Sequence, residues 1–431
     1  MPEDKYLSCL KISRLKTLLT IFAILVAYDA PVTAQERLIH SFGNRADGNT
    51  AFGGVISDSV GNLYGTTHGG GTFPAGAYGA GVVFELLRQA DGSWTEQVLH
   101  DFGQGTDGRG PTAGLAFDGA GNLYGATYYG GGTPCQGGCG IVYELQPPAA
   151  QGGTWTESVL YRFSTAINGL NPHGPLIVDA EGNLFGVTQF GGTANLGVLF
   201  ELVPQDGGVW IEKVIHSFTL GARDGNYPNG LTRDPAGNLY GTTSGGGAHN
   251  SGTVFEFSPQ VGGGWSEKLL HSFNPNNGDG TLPADTVTLG PDGSLYGMTG
   301  LGGLYNSGTV FEVIRGADGV WSESVLYSFG GDSADGVDPW GTVVLDSTGN
   351  VYGETNLGGS LAEGTVFELT RGTGSWSETV LHNFGNGDDG LFPQGSLIFD
   401  HRGNIYGTSV MGGAFFSLTD NGGTVFQIRT Q

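Results

Sequence analysis

The segment Asp58-Ser59-Val60-Gly61-Asn62-Leu63-Tyr64-Gly65-Thr66-Thr67 decides the fold of this chain. Its first half is a tight turn, because Asp and Asn side chains bond nearby backbone amides and Gly tolerates positive φ. Its second half carries the bulky and β-branched residues that suit a short strand. The motif recurs at Asp118, Asp179, Asp234, Asp292, Asp346 and Asp400, 54 to 61 residues apart, with small changes such as Ser294 for Asn. A glycine-rich stretch follows each copy, and then Gly-Thr-Val-Phe-Glu-Leu or a variant, as at 252–257, 308–313 and 364–369. The unit ends in Trp-x-Glu-x-Val-Leu-His-x-Phe, as at 94–102 and 265–273.

Each unit therefore holds four short strands separated by turn signals, and no segment carries a useful helical period. Four strands per repeat at this period predict the blades of a β-propeller. The Trp-x-Glu element occurs six times, at Trp94, Trp155, Trp210, Trp265, Trp321 and Trp376, whereas the strand marker occurs seven times. The last unit stops after Thr424-Val425-Phe426-Gln427-Ile428, and Gln35-Glu36-Arg37-Leu38-Ile39-His40-Ser41-Phe42 resembles its missing fourth strand. The expectation is an all-β, seven-bladed propeller over residues 35–431, with four antiparallel strands per blade. Its N-terminal strand completes the last blade.

Lys11, Arg14 and Lys16 precede an apolar run from Leu18 to Ala27, with Val32-Thr33-Ala34 behind it, which predicts a cleaved export signal over residues 1–34. The run is short for a bilayer span, so no stable membrane insertion is expected after cleavage. Secretion or another extracytoplasmic location follows, with a monomer as the expected state. Removal of Cys9 leaves Cys135 and Cys139, a local disulfide in an exported chain. The 431 residues include 82 Gly and carry a formal charge of −24, which argues against nucleic acid as a partner.

These motifs are similar to those of the GloVer tandem-repeat family of exported bacterial proteins, across nearly all of residues 36–431. The resemblance implies the repeat architecture and export, and it brings no catalytic residues. Some relatives carry a C-terminal anchor; here the repeats run to the last residues, and none is expected.

Function must lie where the repeats differ. The Asp of Asp-x-x-Gly-Asn reads as turn chemistry, since one carboxylate per hairpin is a poor calcium site. The Glu/His pairs of the fourth strands, such as Glu96/His100 and Glu267/His271, read as bonding between blades. A second element, Asp-Gly-x-x-Pro, follows each fourth strand at Asp107, Asp224, Asp279, Asp335 and Asp389, with Asp47 and Asn168 in irregular copies. These loops share a face with the glycine-rich loops around the channel mouth. The candidate ligand-binding residues there are Trp340, Asp335, Asp338, Tyr227, Asp224, Phe392, Asp389, Tyr128 and Tyr129. Variable neighbours include His68, Tyr78, His173, His249 and Tyr305. Arg45, Arg109 and Arg223 are the few basic residues in these loops, so anionic polymers are weak candidates.

No metal ligands or cofactor are assigned, although calcium suits a ring of carboxylates. No Gly-x-Ser-x-Gly, His-Glu-x-x-His or P-loop motif is present. The leading expectation is an exported, non-enzymatic propeller recognising a glycan or protein. A carbohydrate-active hydrolase or lyase using channel-mouth carboxylates, and a structural envelope or matrix protein, are the alternatives.

Overall fold

A computed structural model describes residues 34–43, 46–73, 79–132, 135, 137–150, 153–416 and 421–429. Residues 1–33 of the expected export signal, Arg45 and Tyr78 lie outside the described residues. Strands dominate, and the described residues contain two 3₁₀ turns and no α-helix. Seven antiparallel sheets of four strands follow one another as blades. The fourth blade is a clean example, running Gly225–Arg233, Leu239–Gly246, Thr253–Pro259 and Trp265–Ser272 from innermost to outermost.

The N-terminal strand Gln35–Ser41 pairs antiparallel with the last strand Thr424–Arg429, from Gln35 opposite Arg429 to Ser41 opposite Thr424. The ring closes as expected, with chain start and chain end hydrogen-bonded in one blade. A backbone bond from Thr50 N to Gly422 O, 2.8 Å, ties that blade to the first.

The core lies between blades, because a twisted four-stranded sheet must bury both faces against its neighbours. Seven apolar clusters each span two blades. At each seam the Phe that ends one outermost strand meets the third-strand aromatic ring of the next blade. The pairs are Phe42–Phe84, Phe102–Tyr143, Phe163–Phe200, Phe218–Phe255, Phe273–Phe311, Phe329–Phe367 and Phe384–Phe426, with centroids 5.0–5.6 Å apart. The glycine of Leu-Tyr-Gly makes room for the second ring: a Cβ at Gly65 would lie 2.5 Å from Phe84 Cζ, and one at Gly297 2.5 Å from Phe311 Cζ. The outer-strand Trp reaches back one blade, as Trp155 does to Tyr64 (6.3 Å) and Trp321 to Tyr240 (6.4 Å).

The Asp-x-x-Gly-Asn turns are knots of hydrogen bonds. Asp58 Oδ1 accepts from the amides of Val60, Gly61 and Asn62 at 2.8–3.0 Å, and Oδ2 accepts from Asn62 Nδ2 at 2.9 Å. Burial opposes ionisation at Asp118, Asp346 and Asp400, but the same donors outweigh it and hold these carboxyls below their usual range. The fifth copy differs from the sequence reading. Gly290, not Asp292, opens its turn: Gly290 N bonds Ser294 O (2.7 Å), as Asp58 N bonds Asn62 O (3.1 Å). Asp292 sits two residues later and accepts from Ser294 N instead.

Candidate functional site

The residue before the proline of Asp-Gly-x-x-Pro, or before Ala51 in the first blade, has positive φ in every blade. Thr50 (62°), Gly110 (60°), Asn171 (60°), Tyr227 (57°), Leu282 (56°), Asp338 (55°) and Phe392 (57°) form this ring. A non-glycine residue in that conformation carries about 1–2 kcal/mol of strain. The strain is held by a backbone bond to the preceding blade. The seven amides donate to the carbonyls of Gly422, Ala80, Cys139, Leu196, Ser251, Ser307 and Glu363 at 2.7–3.1 Å. The following proline seats on the glycine of the neighbour's Gly-Thr-Val-Phe: a Cβ at Gly308 would lie 2.3 Å from Pro339 Cδ. The backbone is therefore the same seven times, while the side chain differs in every copy.

Inside this ring lies a cavity of about 320 Å³ whose lining includes Phe52, His173, Asp285, Trp340 and Gln394, contributed by five blades. Trp340 is 41% exposed. Asp285 accepts from Thr286 N at 2.7 Å, and burial raises its carboxyl above the usual range while Thr286, His173 and Thr342 pull the other way. His173 Nδ1 lies 3.0 Å from Asn229 O. Asn356 donates to Asp338 Oδ2 (2.9 Å) and Gln394 to Asn356 Oδ1 (2.8 Å), so a polar chain runs from the ring into the cavity wall.

Beside Trp340 across the strand pair is Glu354. It is fully buried, and neither carboxylate oxygen has a hydrogen-bond partner among the described residues. Desolvation pushes its carboxyl well above the usual range. A second cavity, about 470 Å³, is lined by Phe52, His68, Arg109, Tyr129 and Met411 among others. Tyr128 packs on Tyr129 with centroids 4.8 Å apart and donates to Gln189 Oε1 at 2.6 Å.

Trp340 and Asp338 thus sit together at the mouth, Tyr227 and Phe392 hold equivalent ring positions, and Tyr129, with Tyr128 packed on it, lines the second cavity. The structure places Asp224, Asp335 and Asp389 elsewhere, in clasps between blades. His216 Nε2 lies 3.2 Å from Asp224 Oδ1, Tyr327 donates to Asp335 at 3.1 Å, and His382 Nε2 lies 2.8 Å from Asp389 Oδ2. Backbone amides add to these bonds, as Gly330 and Gly331 do by donating to Asp335 Oδ2 at 2.8 and 2.9 Å. The Glu of the next outermost strand faces each clasp. Burial raises Glu36, Glu96, Glu212, Glu323 and Glu378 to about 7. The sequence reading of the Glu/His pairs as bonding between blades fits this placement.

Sequence reasoning missed Asp285, Gln394 and Glu354. Glu354 had a visible signal, since it stands where Leu-Tyr-Gly-Thr-Thr has its first Thr. Thr66 and Thr242 there donate to the next blade's Ala113 O (3.1 Å) and Asp285 O (2.6 Å). Cys135 and Cys139 are joined by a disulfide.

No curated protein matches the chain. Among solved structures, a Bacteroides uniformis protein provisionally named a 6-phosphogluconolactonase is 17% identical, with TM-score 0.49 over 75% of this chain and 83% of that one. A luciferin-regenerating enzyme is 13% identical, TM-score 0.43, over 73% and 89%. A Dyadobacter fermentans protein of unknown function is 13% identical, TM-score 0.39, over 91% and 99%. These likenesses bear on no activity. The family match is another matter: the Gloeobacter/Verrucomicrobia repeat matches over residues 24–233 and 211–322, and the chain belongs to that family.

Proposed function

We propose that this is an exported binding module whose channel-mouth face receives a glycan. The observation that carries the reading is the ring of seven left-handed positions, six of them strained because they are not glycine. One backbone geometry is fixed seven times over, six different side chains and one glycine are presented from it, and a cavity with an exposed Trp lies inside. Residues that only build blades repeat; these do not. Strain retained at equivalent sites is a mark of functional surfaces. The Trp340 indole can stack on a sugar ring, while Gln394, His173 and Asp285 offer hydrogen-bond partners around it, the usual make-up of a small-ligand site. The disulfide fits an exported chain.

A glycan array and polysaccharide pull-down on the full chain, with and without calcium, tests this. Binding that Trp340→Ala abolishes supports it. No binding in either condition shifts the weight to a protein partner on the same face. The raised Asp285 carboxyl beside His173 favours one second reading, a carbohydrate-active hydrolase. Turnover of a bound sugar that Asp285→Asn removes, with binding retained, would establish it.

A further inference from the structure

The clasps between blades come in two chemical versions. In one, a Tyr hydroxyl serves the facing Glu: Tyr161 donates to Glu212 Oε2 at 2.9 Å and receives Asn168 Nδ2 at 3.1 Å. In the other a His takes the place of Tyr. Three such clusters, His100/Asp107/Glu157, His216/Asp224/Glu267 and His271/Asp279/Glu323, hold an imidazole nitrogen and two carboxylate oxygens all within 4.8 Å of one another. Each imidazole lies 2.9–3.2 Å from its Asp. In the second cluster the ring stays 3.8 Å from Glu267, too far for a hydrogen bond.

In all three, Glu Oε1 is shut off from solvent without a hydrogen-bond partner among the described residues, as it also is at Glu36, Glu96, Glu212 and Glu378. What sets the three clusters apart is the convergence of the imidazole and both carboxylates. Two carboxylates and one imidazole nitrogen therefore converge within ligand reach of one point, an arrangement that a cation completes. The third cluster also has an entry path, because Asp279 and Glu323 line an open cavity of about 550 Å³.

We propose that these three clusters bind transition-metal dications of the zinc class. One imidazole nitrogen with two carboxylate oxygens suits zinc, with water filling the fourth position. Calcium needs six to eight oxygens and is poorly served by this set. Each metal joins the outermost strands of two blades. On binding, the proton shared between His Nε2 and Asp leaves to solvent as the metal takes the nitrogen. The site stands apart from the channel mouth and does not depend on the glycan reading.

The test is equilibrium dialysis of the full chain against Zn²⁺, compared with the triple variant Glu157→Gln, Glu267→Gln, Glu323→Gln. Gln keeps the shape and removes the charge. The expected result is about three equivalents of zinc fewer in the triple variant, with no change on Glu212→Gln at a Tyr clasp. X-ray absorption at the zinc edge on the unmodified chain needs no variant, and should show one imidazole with oxygen ligands. No bound zinc, equal loading of the triple variant, or an absorption spectrum without imidazole overturns the proposal.

Discussion

Phe42→Ala tests whether the N-terminal strand closes the ring. Phe42 follows the strand Gln35–Ser41, is fully buried, and meets Phe84 of the first blade with ring centroids 5.0 Å apart. It also packs edge-on to His40 at 4.6 Å. Truncating a buried Phe costs about 3–5 kcal/mol, from lost transfer energy and the cavity left behind. An edge-to-face pair adds about 0.5–1.5 kcal/mol to what burial alone gives. The expected destabilisation is about 4 kcal/mol. The matched control is Phe273→Ala, which removes the same kind of ring, 5.0 Å from Phe311, at a seam inside the chain. Urea unfolding followed by tryptophan fluorescence should give nearly equal costs for the two. If Phe42→Ala costs under about 1 kcal/mol while Phe273→Ala costs the full amount, the terminal strand does not hold the ring shut, and the closure argument fails.

Other outcomes follow from the same geometry. Burial raises Glu212 to about 7 against bonds from Tyr161 and Asn168, and raises Glu378 to about 7 with help from Asp335 and Asp332. A raised carboxyl favours the protonated fold, so this stability is complete below about pH 4.5 and is lost as pH rises through 7. Halved for partial exposure, the loss is about 1–2 kcal/mol per group at pH 8; Glu212→Gln should flatten melting temperature between pH 5 and 8, and an unchanged slope would refute the assignment. Glu354→Thr restores the repeat and removes a buried, unpartnered carboxyl, so it should stabilise by about 1–3 kcal/mol at pH 8; a lower denaturation midpoint would show that Glu354 has a partner in solution. Gly110→Val places a β-branched residue at φ 60° with its Cβ 2.8 Å from His68 Cε1 and should cost about 1–3 kcal/mol; an unchanged midpoint would mean the turn is free to relax.

The blades were legible because their residues are set by contacts that recur at every seam. Gly65 must admit the Phe84 ring and Phe102 must meet Tyr143, marks left seven times, and Pro339 must seat on Gly308, a mark left six times with Ala51 in the first blade. The closure was legible because Gln35–Ser41 and the outer strands face the same packing. Asp292 was misplaced because an Asp before Gly-Ser looks like a turn opener, while the hydrogen bond that defines the opener belongs to Gly290. The Asp-Gly-x-x-Pro carboxylates were read as a mouth-facing ring because sequence separates Asp224 from His216 by eight residues and gives no sign that they touch. Tyr227, Asp338 and Phe392 were found for their chemistry. Their shared left-handed backbone was hidden, because seven different residues occupy one conformation. Glu354 breaks a repeat and was open to detection; Asp285 and Gln394 reach the cavity only through the curvature of the ring.

The most direct test of the central claim is a binding titration of the first glycan found by array against the unmodified chain, Trp340→Ala and Asp335→Asn. The account predicts that Trp340→Ala abolishes binding, because its indole lines the cavity. Asp335→Asn should bind as the unmodified chain does, because Asp335 is buried in a clasp with Tyr327. Binding that survives Trp340→Ala and is lost on Asp335→Asn would contradict it and move the site from the channel mouth to the seams between blades.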